Sequence, residues 1–361
     1  MRIALVGLGD AGFHIHLPAL AGIRSVRIVG ACDPNPERRT RAARTYGVPV
    51  FADFDDMLAA GRPDVVVVGT PPDTHADYCL RAIAAGAHVI CEKPFVSSLA
   101  QADHVLRDAE RAQRGVAVNH QFGEMPIFRA VREKIGHAGD VTFVQVWQLV
   151  DMPPSADSGW RGKMHHRTLF EAGVHLVDLT LALFGEKPQS VIAATSDVGR
   201  NDGVDAIVVA TLQFSRGRLA LITQSRVYKG QRQYMELRAD TPAASWRASF
   251  GGRLRLSAGL YRSMMPRLRF ERGVSGLAWR EAGDRRTVLA RNPRNPMLVA
   301  ARSLLKQTLA AFRDGREPPA SGARARDGLE VIAACYHSAE TGRCARLDGD
   351  DLDDLKTRIL G

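Results

Sequence analysis

Apolar residues in the first 120 positions gather in short runs, at 3–6, 26–31, 65–68, 88–90 and 116–118, interrupted only by Arg27 and His88. The stretches between them, at 13–22, 36–46, 53–60, 74–85 and 99–112, are helix-compatible, mixing apolar and polar positions. Such apolar runs suit strands buried on both faces, and their alternation with amphipathic helices predicts a doubly wound parallel sheet. Beyond residue 120 the pattern changes. Helices are predicted at 126–135 and at 168–184, where Gly185 stops the run, and again near 297–313 and 325–340. Strand-like stretches at 141–150, 190–194, 206–214, 219–227 and 234–238 predict a mostly antiparallel, open sheet. The segment 241–295 has no clean period and is compatible with hairpins. The fold class is therefore α/β, with one domain over 1–120 and a second α/β domain over 121–361 whose last helices are free to pack back on the first.

The opening run is followed directly by Gly7-Leu8-Gly9-Asp10-Ala11-Gly12. Here the first glycine permits a sharp strand-to-helix turn, the second lets a diphosphate approach bare backbone, and the third lets helix and strand pack. The helix N-terminus then offers unpaired N–H groups and partial positive charge to the anion. The second apolar run ends at Asp33, placed to accept hydrogen bonds from an adenosine ribose. Strand, glycine turn, helix, strand and acid together predict a Rossmann dinucleotide-binding domain. Because a carboxylate repels a 2′-phosphate, NAD is expected over NADP. Arg38 and Arg39 stand where they could reach such a phosphate, or where they form an ordinary solvated helix face.

The 361 residues, 45% hydrophobic and 24% charged, suit a two-domain globular chain with a sizeable core. No run approaches the roughly 18 apolar residues of a membrane span, and the start shows no signal-peptide cleavage pattern. Five cysteines without a CxxC pair read as free thiols of a reducing cytoplasm, with no zinc site. The net charge of +10 is uneven: residues 253–294 hold eleven arginines and no lysine against three acids. That excess is compatible with an anionic substrate or with a solvated basic surface. It lacks a recognisable nucleic-acid-binding motif and few aromatics interleave it, so nucleic acid is not expected as a partner.

Ligands of a doubly wound sheet sit beyond the carboxyl ends of its strands, which directs attention to the turns at 7–12, 70–74 and 92–95. The last of these carries Glu92-Lys93-Pro94. A lysine there, beside the nicotinamide, is placed to donate and accept a proton, and burial together with the charge of NAD⁺ disfavours its ammonium form. Farther on, spacings of four and three place Glu171, His175 and Asp178 on one helix face. A carboxylate beside an imidazole fixes its tautomer and suits acid–base work at a hydroxyl. A solvated polar face is the alternative, and one histidine with two acids does not make a metal site.

These pieces together resemble the glucose–fructose oxidoreductase/inositol dehydrogenase (Gfo/Idh/MocA-like) family. The resemblance is carried by Gly7, Gly9 and Gly12, by Thr70-Pro71-Pro72 with His75, and by Glu92-Lys93-Pro94. Trp160-Arg161, Gly173-Val174-His175 with Asp178, and Ser338-Ala339-Glu340-Thr341-Gly342 extend it over nearly the whole chain. It implies hydride transfer between NAD(P) and a secondary alcohol or ketone of a sugar, sugar derivative or cyclitol, in a homodimer or homotetramer. Lys93 and His175 match the family's catalytic pair, with Glu171 where the family usually has aspartate. The resemblance also points to Thr70, Pro71, His75, Glu92 and Asn119 at the cofactor, and to Trp160, Arg161 and His166 at the substrate. His165-His166-Arg167 replaces a glycine-rich run and implies a differently shaped pocket, one suited to an anionic ligand, unless these side chains point to solvent. A redox-neutral lyase or glycosidase cycle on the same NAD, and a non-catalytic NAD-binding regulator, are the alternative activities.

Overall fold

Four consecutive valines, Val65–Val68, have no solvent exposure, because the strand they form is covered on both faces. The structure is a computed structural model. It describes residues 1–136, 141–152, 160–161, 164, 166–199, 204–230, 233–251, 255–260, 266–271 and 276–347, with the backbone alone at 233, 255–260 and 266–271. The valine strand is β4 of a six-stranded parallel sheet. Its other members are β1 (Arg2–Val6), β2 (Arg27–Cys32), β3 (Val50–Phe51), β5 (His88–Cys91) and β6 (Val116–Val118), in the order β3-β2-β1-β4-β5-β6. The order reverses between β1 and β4, which opens a crevice at their carboxyl ends.

A π-helical turn, Gly12–His16, runs into α1 (Leu17–Ala21), and four helices follow. They are α2 (Pro36–Tyr46), α3 (Phe54–Gly61), α4 (Pro72–Ala84) and α5 (Leu99–Arg111). Asn35, Asp53 and Ser98 cap α2, α3 and α5 by accepting first-turn backbone N–H groups. The single helix expected at 13–22 is thus wound more widely in its first turn, and β3 is a two-residue strand with too little length to show a period.

The second sheet has nine strands. α6 (Pro126–Ile135) leads into β7 (Phe143–Val150); a π-helical segment Thr168–Gly173 continues as α7 (Val174–Phe184). Then come β8 (Ser190–Ser196), β9 (Ile207–Gln213), β10 (Leu219–Ser225), β11 (Gln233–Thr241) and β12 (Ala244–Phe250). A separate hairpin, β13 (Arg255–Leu260) with β14 (Pro266–Glu271), precedes β15 (Leu277–Ala282) and β16 (Arg285–Arg291). Two long helices, α8 (Pro296–Arg313) and α9 (Gly322–Thr341), and the short β17 (Ala345–Arg346) complete the order β16-β15-β12-β11-β7-β10-β9-β8-β17. Every pairing in this sheet is antiparallel except β7 with β10. Burial alternates along β7, β9 and β10, so one face is covered and the other open.

The last helices return to the first sheet. α8 packs against α1, and its Ala301, Leu305, Leu309 and Phe312 join Ile3, Leu5, Val67 and Ile90 in one core. α9 touches α5 and β6 on one side and α7 and β8 on the other. No described helix is long and apolar enough to cross a membrane.

Candidate active site

A cleft of about 1260 Å³ runs from the glycine turn, past the carboxyl ends of the parallel strands, to the inner face of the nine-stranded sheet. At its start Gly7 holds φ at +92°, and a Cβ built there would lie 2.5 Å from the carbonyl carbon of Gly69. Gly12 is equally closed, with a Cβ meeting the Gly7 oxygen at 2.0 Å. Gly9 lines the cleft, and a Cβ there meets nothing within 4 Å. The first and third glycines therefore serve packing, while the second leaves open space in front of bare backbone. That is the cradle a diphosphate needs, and the site fits NAD on this observation.

Asp33 ties the turn together. Its Oδ2 accepts the Leu8 N–H at 2.8 Å and its Oδ1 the Asn35 N–H at 2.9 Å, and the carboxylate lines the cleft. Of the two arginines expected near it, Arg38 reaches Asp33 Oδ2 at 3.4 Å and lines the cleft. Arg39 instead donates to the carbonyls of Asp33 and Pro34. Arg41, one turn farther along α2, also lines the cleft, with its guanidinium 3.8 Å over the Phe13 ring.

The Glu92-Lys93-Pro94 turn leaves β5 with its acid buried. His16 Nε2 lies 2.6 Å from Glu92 Oε1, the Asn119 amide donates to the same oxygen at 2.6 Å, and the Lys93 N–H donates to Oε2 at 3.1 Å. Burial alone would raise the Glu92 carboxyl. The hydrogen bond and charge of His16, the charge of Lys93 and the Asn119 amide outweigh it and bring the carboxyl down to about 2. Lys93 is depressed by burial, and the Glu171 and Glu92 charges oppose that only in part. Its Nζ donates to the Glu171 backbone oxygen at 2.9 Å and so bridges the two halves of the chain.

His175, on the first turn of α7, stacks flat on Phe122 with centroids 3.9 Å apart and lines the cleft near Lys93. Burial holds its imidazole well below the ordinary histidine range, and the Lys93 and His120 charges push the same way. The expected carboxylate partners are engaged elsewhere. Glu171 Oε1 takes Arg161 Nε at 2.5 Å and Oε2 takes Arg167 Nε at 2.5 Å, while Asp178 pairs with Arg324 of α9 at 2.9 Å. Burial would raise Glu171, but Lys93 and the two guanidiniums keep it below the usual carboxylate range. The π-helical winding of Thr168–Gly173 is held at its start by Asp205, which accepts the Arg167 and Thr168 N–H groups and the Tyr336 hydroxyl. His175 Nδ1 is buried without a partner.

Of the residues expected at the cofactor and substrate, Gly7, Gly9, Asp10, Ala11, Asp33, Thr70, Pro71, Glu92, Lys93, Trp160, Arg161, Glu171 and His175 line the cleft together. Others stand behind it. His75 is fully buried, bridging the Thr70, Pro94 and Phe95 carbonyls, so it holds two cleft turns together without facing the cleft. Asn119 donates its amide nitrogen to Glu92 with its side-chain oxygen buried and unpartnered, and Leu8 is a core side chain. His166 is a correction: its Nε2 meets Glu340 at 2.9 Å and its ring packs on Tyr336, away from the cleft. Arg167 is wholly buried beside Glu171 and so adds no exposed basic wall to the cleft; His165 lies outside the described residues. Of the basic segment 253–294, none of the residues whose side chains are described, 276–294, lines the cleft. Sequence reading missed Phe122, Gln121 and Gln148 on the cleft wall. The signal for Gln148 was present: it breaks the inward apolar series Val144, Val146 along β7. Among the described residues no group of three His, Cys, Asp or Glu side chains could hold a metal ion.

Residues 1–120 match an oxidoreductase family with an NAD-binding Rossmann fold, and residues 128–243 match the GFO/IDH/MocA C-terminal domain. The inositol 2-dehydrogenase of Rhizobium meliloti (strain 1021) is 32% identical over 238 residues, 63% of this chain and 69% of that protein. A D-apiose dehydrogenase of Paraburkholderia graminis is 28% identical over 359 residues, 95% of this chain and 89% of its own. An oxidoreductase from Agrobacterium radiobacter, solved with NAD⁺, L-tartaric acid and magnesium, shares the fold. Its TM-score is 0.79 at 19% identity, covering 96% of this chain and 98% of that one.

Proposed function

The chain belongs to the Gfo/Idh/MocA family of NAD-binding oxidoreductases, and from that premise we propose that it oxidises a secondary alcohol of a sugar, sugar derivative or cyclitol, or reduces the matching ketone. The observation that carries this reading is Lys93: an amine depressed by burial, opening on the same cleft as the glycine turn and His175. The Gly7–Gly12 turn, Asp33, Thr70, Pro71 and Glu92 would hold NAD, whose nicotinamide supplies the hydride acceptor when bound. Lys93 Nζ, once neutral, takes the proton of the substrate hydroxyl. His175 gives that proton a second position or orients the hydroxyl, held in place by stacking on Phe122 with no carboxylate behind it. Glu171 acts at a distance, its charge clamped by Arg161 and Arg167 and raising the basicity of Lys93. With both guanidiniums already paired to Glu171, a neutral polyol suits this end of the cleft better than an anion. Trp160, with Arg161 over its ring at 4.3 Å, offers an apolar face to a sugar ring. The open face of the nine-stranded sheet is the surface on which copies would assemble into a homodimer or homotetramer. The free cysteines suit a cytoplasmic setting.

Replacing Lys93 by Met tests the mechanism. NAD-coupled turnover across a polyol panel is expected to fall about a thousandfold, with NAD affinity held within about threefold. In the wild type, kcat for oxidation should climb with pH through the depressed lysine value and flatten above it, since the neutral amine is the base. Full turnover in K93M with NAD still bound would sink the assignment.

A further inference from the structure

The inner face of the nine-stranded sheet is apolar row by row until it reaches the cleft. One row across β11, β7, β10 and β9 reads Ala239, Val144, Ala220 and Leu212; the next reads Leu237, Val146, Ile222 and Ala210. The third row, at the cleft, reads Met235, Gln148, Gln224 and Val208. Gln148 is 3% exposed and Gln224 fully buried. The side-chain oxygen of Gln148, and both amide atoms of Gln224, have no hydrogen-bond partner. Facing the same cleft from the turn after β6, Gln121 is 3% exposed and its side-chain oxygen is also unpartnered.

An orphaned buried amide is costly, and leucine or methionine would continue the pattern of the two rows above at no such cost. An amide is also the group that both accepts from and donates to a hydroxyl, and it carries no charge. We propose that Gln148, backed by Gln224 and faced by Gln121, forms a subsite for substrate hydroxyls remote from the carbon being oxidised, so that the cleft selects neutral polyhydroxylated ligands over simple alcohols. The amides complete their hydrogen bonds when such a ligand enters. This inference rests on the reading of the cleft as a polyol dehydrogenase site and names what that site reads.

The test compares wild type, Gln148→Met and Gln121→Met, the two substitutions lying on separate elements. A panel of cyclitols, aldoses and alditols is used beside cyclohexanol as a single-hydroxyl probe, with NAD reduction, NAD affinity and Tm as readouts. The expected result for either variant is a KM for the best polyol raised about tenfold or more. Selectivity over cyclohexanol should fall by a similar factor, with NAD affinity unchanged. Tm should stay level or rise in Q148M, because an unfilled amide is replaced by an isosteric apolar chain. Polyol KM unchanged in both variants overturns this inference and leaves the dehydrogenase reading standing. A fall in Tm in Q148M together with weaker NAD binding overturns it in favour of a structural amide. Tight NAD binding by the wild type with no polyol oxidised overturns the proposed function, and this inference with it.

Discussion

The two sheets treat their buried faces differently. The parallel sheet is covered on both sides, so its strands are apolar beyond their first residues and its chemistry is displaced to the turns at their carboxyl ends. The nine-stranded sheet is covered on one side, so polar groups can enter its inner face at the border with the cleft, as Gln148 and Gln224 do. The lesson is a division of labour by geometry. The glycine turn is fixed by steric necessity, whereas the sheet row next to the cleft has room for an amide or for an apolar chain of the same size.

The sharpest way to break this contrast is at the glycine turn. Gly7→Ala puts a Cβ 2.5 Å from Gly69 backbone atoms at a φ of +92°, and is expected to cost about 3 kcal/mol or more and to abolish NAD binding. Gly9→Ala has open space around its Cβ, so calorimetry should find Tm unchanged while titration finds NAD weakened about tenfold or more. A Gly7→Ala protein with wild-type Tm would show that the turn is not sterically fixed.

Next in size is His16→Leu, which removes one of the partners of the buried Glu92 carboxylate and should destabilise the fold by about 3 kcal/mol in chemical denaturation at neutral pH. The pH dependence has a definite sign. Glu92 sits at about 2 in the folded chain against an unfolded value of about 4.3. Its stabilisation is complete above the unfolded value and drains away as pH falls toward the folded one. Without His16 the folded value rises, so the acid-unfolding midpoint should move to higher pH; an unmoved midpoint would mean that His16 does not hold the charge.

The smallest effect belongs to the second sheet and has the opposite direction. Gln224→Met, in a row that would otherwise be apolar, should raise stability by about 1 kcal/mol, read as a rise of a few degrees in Tm by scanning calorimetry. A loss of stability would show that the amide pair is structural and would erase the difference between the sheets.

The fold was legible where burial leaves a simple pattern. The strands at 3–6, 26–31, 65–68, 88–90 and 116–118 were found within a residue or two, and so were the helices at 36–46, 99–112 and 126–135. The strands 244–250 and 277–291 were not resolved, because their half-open faces carry arginine and tryptophan side by side, as where Arg286 lies 4.2 Å over Trp279. The π-helical turns at Gly12–His16 and Thr168–Gly173 were invisible because both were read with an ordinary helical period. In the site, helix spacing suggested that Glu171 and Asp178 serve His175. Arg161 and Arg167 hold Glu171 and the distant Arg324 holds Asp178; of these only Arg167, at the i,i+4 spacing of a helix pair, had a local signal.

One consequence follows from where the layer over Ile3, Leu5, Val67 and Ile90 originates. Much of it is α8, whose Phe312 stacks on His88 and lies against Gly115. During synthesis, the first 120 residues therefore leave the ribosome with one side of their sheet only partly covered, by α1 and α2. That side stays exposed until residues 296–313 have emerged. The cofactor half comes early along the sequence yet is completed only when α8 arrives, so nascent chains halted before α8 should be the form most in need of a chaperone.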